Sequence, residues 1–172
     1  MLSKIKESMN SNPYLTDDIK ENIASLVEIF NNKFPNVDLT NLNDKLKTLQ
    51  IEKGNKFIVR GLSQYNPNEN KILITLSQLQ DDTDCKHILM RELLNVMTSK
   101  NNYTGFNVNH EYNALNIGYT EILTNLLVGN ESVNEYENEV IAADLMLTLI
   151  GEENVYNAYF NNDINYIIGT LS

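Results

Sequence analysis

Residues 84–99 read DCKHILMRELLNVMTS. At about 100° per residue on a helical wheel, Cys85, Ile88, Leu89, Leu93 and Val96 fall on one apolar stripe, and Glu92 falls inside it. No other stretch constrains the fold so tightly. A helix with such a stripe has to be packed along it, and a carboxylate buried bare costs several kcal/mol. The surrounding structure must therefore give Glu92 a partner or hold it protonated. Arg91 and Asn95, one turn apart, border the same stripe.

The rest of the chain is organised around helices. After the Asn12-Pro13 turn, Thr16 is placed to cap a helix in which Ile19, Ile23, Leu26, Val27, Phe30 and Phe34 recur at three- and four-residue spacing, ending near Pro35. A shorter helix is expected around Leu42, Leu46 and Leu49. Residues 56–65 read as a strand, residues 66–70 are dense in turn formers, and residues 71–75 read as a second strand, giving an antiparallel hairpin. The helix over 84–99 follows, then a polar, irregular stretch over 100–113. Helices are expected over 117–128 and 133–150; the latter is apolar almost all round and is therefore expected to be central, with Gly151 as its stop. One or two short helices through Val155, Tyr159, Phe160, Ile164 and Ile167 complete the tail. With 172 residues, seven glycines, three prolines and no linker, a single domain over 1–172 is expected, made of N-terminal helices in 1–50 and a core in 51–172. The expected fold class is α+β, mostly helical, with a small antiparallel hairpin or sheet packed on the helix that carries Glu92.

Composition removes several function classes. The formal charge is −10, and no cluster of Lys and Arg interleaved with aromatics is present, which argues against direct nucleic-acid binding. No apolar run is long enough to span a bilayer, and the first residues lack the apolar core of a secretion signal, so the cytoplasm is the expected compartment. Cys85 is the single cysteine, which precludes an intrachain disulfide; a small core residue is the expected role. His87 and His110 lack a close third ligand and are expected to face solvent.

Arg91-Glu92-Leu93-Leu94-Asn95 has the layout of His-Glu-x-x-His, in which two imidazoles a turn apart bind zinc and the glutamate polarises the bound water. Further on, Asn116-Ile117-Gly118-Tyr119-Thr120-Glu121 has the layout Asn-Glu-Gly-x-Thr-Glu, again with one position replaced. On these two motifs, in this order and 22 positions apart from Asn95 to Ile117, residues 56–160 resemble the small zincin-type metallopeptidases of the gluzincin branch. The resemblance implies a zincin-like minimal metallopeptidase fold, with Arg91, Asn95 and Ile117 standing where the three zinc ligands would be. It makes Glu92 the vestigial general base, and Glu121 the carboxylate that would support a ligating histidine.

An arginine has no lone pair to give, an amide oxygen is a weak ligand and isoleucine offers nothing. Zinc is therefore expected to be absent, no cofactor is expected, and hydrolysis by the family's mechanism is expected to be lost. Arg91 is expected to take over part of the metal's charge by pairing with a carboxylate such as Glu121, with Ile117 filling the remaining space. Tyr103 and Tyr112 are candidates for a recognition surface, and Tyr119 for ordinary packing. The function this implies is a catalytically inactive metallopeptidase-like protein that binds a protein or peptide partner as a decoy, adaptor or regulator. The alternatives are an active peptidase with a non-standard site around Glu92, and an acidic interaction or inhibitor protein of a mobile element. Oligomeric state is left open.

Overall fold

The computed structural model describes residues 1–54, 62–75, 82–129 and 136–171. Among them are eight helices and three strands, in the order α1 (Leu2–Asn10), α2 (Asp17–Lys33), α3 (Thr40–Leu46), β1 (Gln50–Gly54), β2 (Ser63–Asn66), β3 (Lys71–Thr75), α4 (Asp82–Met97), α5 (Asn113–Val128), α6 (Glu137–Ile150), α7 (Glu152–Phe160) and α8 (Ile164–Leu171). The class is mostly helical α+β.

Local chemistry accounts for most boundaries. The Thr16 side chain accepts from the Ile19 N–H at the start of α2, one of the four donors a helix start leaves over. Between β2 and β3, the Asn66 side chain accepts from the Asn68 N–H at 3.0 Å, and Asn70 takes a left-handed φ of 51°, a conformation asparagine tolerates well. The C-terminal end of α4 is satisfied from outside. Asn41 of α3 donates to the carbonyls of Val96, Met97 and Ser99 at 3.0, 3.1 and 2.9 Å.

The sheet differs from the expected hairpin by one strand. β2 and β3 are antiparallel, with Ser63 opposite Ile74 and Tyr65 opposite Ile72. β1 pairs in parallel with β3, Ile51 opposite Ile72, in the order β1-β3-β2. α3 stops at Leu46 and Leu49 leads into the sheet, so the helix expected through Leu49 is shorter. β1 contains a single large apolar residue, Ile51, and is held by its backbone ladder, which leaves little pattern to read. The expected strand over 56–65 is described only at its end, since 56–61 lie outside the described residues, as do 133–135 of the expected helix over 133–150.

Buried apolar residues from all eight helices, β2 and β3 form one connected core. α1 belongs to it through Ile5 and Met9, and the buried Asn12 ties the turn after it to α3 by donating to the Leu46 and Leu49 carbonyls at 2.8 and 2.9 Å. α4 lies at the centre, against β2, α2, α3 and α5, with Ile88, Met90, Leu93, Leu94 and Val96 buried. α6 is not central. It buries Ala143, Met146 and Ile150 and leaves Ile141, Leu145 and Leu149 exposed. An apolar surface all round does not itself say which face is packed, and here one stripe of it is.

Candidate functional site

A cleft of about 510 Å³ opens beside α4. β2 lines one wall with Ser63, Gln64 and Tyr65; α4 contributes Arg91, Glu92 and Asn95; α5 contributes Asn116, Ile117 and Thr120; Tyr136 and Glu139 enter from the α6 side. Of the five positions singled out on the two motifs, Arg91, Glu92, Asn95 and Ile117 therefore line one space, while Glu121 is buried and does not line it. Among the described strands β2 is at the end of the order, so within them the cleft runs along a sheet edge.

Glu92 is buried, and both of its oxygens are engaged. Ser63 Oγ donates to Oε1, Arg91 Nε lies 3.5 Å from the same oxygen, and Asn95 Nδ2 donates to Oε2 at 3.2 Å. Arg91 is 4 % exposed, so its guanidinium is inside the protein and away from bulk water. Its Nη2 donates to Ser63 Oγ at 2.8 Å and its Nη1 lies 3.7 Å from Glu121 Oε2. The guanidinium carbon is also 5.2 Å from the centroid of the Tyr136 ring, within cation–π range. The other oxygen of Glu121 lies 2.6 Å from His87 Nε2. The result is a buried charge network in which one cation sits between two carboxylates and an imidazole backs the second. Placed singly, each of these charges would be costly to bury; together they compensate one another.

His87 is the clear departure from expectation, because it is 2 % exposed and packed on Glu121. His110 is exposed, in a single 3₁₀ turn over Val108–His110. Cys85 is half-buried on α4. Tyr103 and Tyr112 are half-buried and neither lines the cleft, whose aromatic residues are Tyr65 and Tyr136. Tyr119 is buried against Phe106 and Tyr159, with ring centroids 5.7 and 5.0 Å away. Ser63 escaped the sequence reading. A serine at the start of a strand carries no signal until the helix facing it is known.

The unreplaced residues of the second motif each perform a structural task. Asn116 Oδ1 accepts from the Phe106 N–H at 2.9 Å, fixing the loop after α4 on α5. Thr120 Oγ1 donates to the Asn116 carbonyl and shares a 2.7 Å hydrogen bond with the Tyr159 hydroxyl. Gly118 is where α6 crosses, and a Cβ there would collide with the backbone carbonyl of Glu139. Ile117, by contrast, turns toward the cleft.

These donors do not suit zinc. Of the three positions that the resemblance sets against zinc ligands, Arg91 holds a guanidinium already paired with carboxylates, Asn95 an amide that donates to Glu92, and Ile117 a hydrocarbon. Among the described residues no group of three His, Cys, Asp or Glu side chains is placed to hold a metal ion. Likewise, none of the described helices is long and apolar enough to cross a membrane. In comparisons with protein-family models, curated proteins and solved structures, the chain matched none.

Proposed function

We propose that the chain is a catalytically inactive, zincin-like metallopeptidase homologue whose retained task is to bind an extended segment of a protein or peptide partner along β2. The observation that carries this reading is the coincidence, in one cleft, of the edge strand and four of the five singled-out motif positions. An edge strand presents unpaired main-chain N–H and C=O groups, and a peptide laid beside it is held by hydrogen bonds that need no metal. The cleft floor, meanwhile, has its charges compensated internally by the contacts among Arg91, Glu92, Ser63 and Glu121.

The test has a binding arm and a family arm. Peptides selected from a random library for binding are expected to lose about tenfold or more in affinity, roughly 1.4 kcal/mol, when alternate backbone amides are N-methylated or when Ile117→Arg fills the cleft. Protease activity should be undetectable and unchanged by Glu92→Gln. In the family arm, Arg91→His, Asn95→His and Ile117→Glu combined are expected to create a site for one zinc ion. A folded triple variant that takes up no zinc would remove the metallopeptidase ancestry, and selected peptides indifferent to both changes would remove the edge-strand groove.

A further inference from the structure

All thirteen Lys and Arg residues lie between Lys4 and Lys100, whereas residues 101–172 carry ten Asp and Glu and no Lys or Arg. The whole net charge of −10 therefore belongs to the last 72 residues. In that region α6 presents Ile141, Leu145 and Leu149 to solvent, 60, 60 and 71 % exposed. They are four residues apart and so share one face, opposite the buried Ala143, Met146 and Ile150. At about 100° per residue, the exposed Glu137 and Asp144 run along one border of that stripe.

A face that is apolar in the middle and anionic at the edge, in a region with no basic residue, selects among occupants. Helices that lie on membranes carry Lys and Arg beside their apolar face to meet anionic headgroups, and here that border is acidic. An antiparallel pairing of two copies through this stripe would bring the acidic borders together, and in a parallel pairing neither border would meet a Lys or Arg of the partner's α6. We propose that the α6 face is a second binding surface, separate from the cleft, for a cationic amphipathic helix of another protein. Its apolar residues, three and four apart, would pack on Ile141, Leu145 and Leu149, while Lys or Arg beside them meets Glu137 and Asp144.

The probe is a synthetic Leu/Lys peptide patterned as an amphipathic helix, titrated against the full chain. Leu145→Ser with Leu149→Ser is expected to weaken binding about tenfold or more. Glu137→Gln with Asp144→Asn should weaken it several-fold and flatten its salt dependence, and Ile117→Arg in the cleft should leave it unchanged. The serine residues replace exposed leucines, so an unaltered unfolding midpoint serves as the folding control. Equal affinity for a scrambled Leu/Lys peptide would reduce the effect to bulk charge and overturn the proposal, as would no binding at all. Self-association abolished by the serine pair would make the occupant a second copy, and binding to anionic vesicles abolished by that pair would make it a membrane; either result also overturns it.

Discussion

Arg91 is the cation on which the buried charges balance. With Glu92 at 3.5 Å, Glu121 at 3.7 Å and Ser63 at 2.8 Å, it touches three side chains that are themselves buried. Replacing it with a residue of similar length and no charge leaves two carboxylates in the interior without their cation. Arg91→Met is therefore expected to cost about 3–5 kcal/mol in urea unfolding, the usual penalty for breaking a buried pair from one side. Adding Glu121→Gln should recover part of that loss, because one of the abandoned charges is then gone. If Arg91→Met unfolds at the wild-type midpoint, the network contributes nothing to the fold. At this scale the sequence was informative about Glu92, whose place in an apolar stripe already demanded a partner. It was uninformative about His87 and Ser63, which acquire their roles from Glu121 and Glu92, 34 and 29 positions away.

Among elements, α5 meets α6 at a glycine, Gly118, where a Cβ would run into the Glu139 carbonyl oxygen. Gly118→Ala is expected to push the helices apart and cost about 1–3 kcal/mol, the range for overpacking a filled site. Gly169 in α8 supplies the control, since a Cβ there meets nothing within 4 Å; Gly169→Ala should stabilise the protein by about 0.5–1 kcal/mol. Comparing the two denaturation midpoints separates steric contact from helix propensity, and similar shifts in both would mean that α6 yields at Gly118. The long periodic helices α2, α4 and α5 were legible because a whole apolar face repeats along them. α1 and β1 were not: the first offers two buried apolar side chains, Ile5 and Met9, and the second is paired through its backbone. In α6 the pattern was read as central because composition cannot distinguish a buried apolar face from an exposed one.

For the molecule as a whole, the aromatic cluster behind α5 sets an alkaline limit. Burial raises the Tyr119 phenol above its ordinary value of 10.0 and pushes that of Tyr159 up to about 12. The folded state thus holds both phenols protonated where the unfolded chain has begun to release them. Their contribution to stability is complete below about pH 10 and is lost above it, that of Tyr159 as pH rises through about 12 and that of Tyr119 at higher pH still. The urea midpoint should begin to fall near pH 10, with the phenolate absorbance of these two residues appearing only together with loss of helical circular dichroism. Tyr119→Phe should make the fall shallower; phenolate signals from all nine tyrosines at full helicity would show the cluster to be open.

β2 has only four residues and a single ladder partner among the described strands, and short edge strands of this kind are prone to slide. A slip of one residue would turn Gln64 inward and Tyr65 outward, and would carry the Ser63 hydroxyl away from both Glu92 and Arg91. The hydroxyl therefore acts as a detent that holds the strand in one register against α4. Whatever lies beside that edge is measured by a ruler whose zero is set from inside the protein.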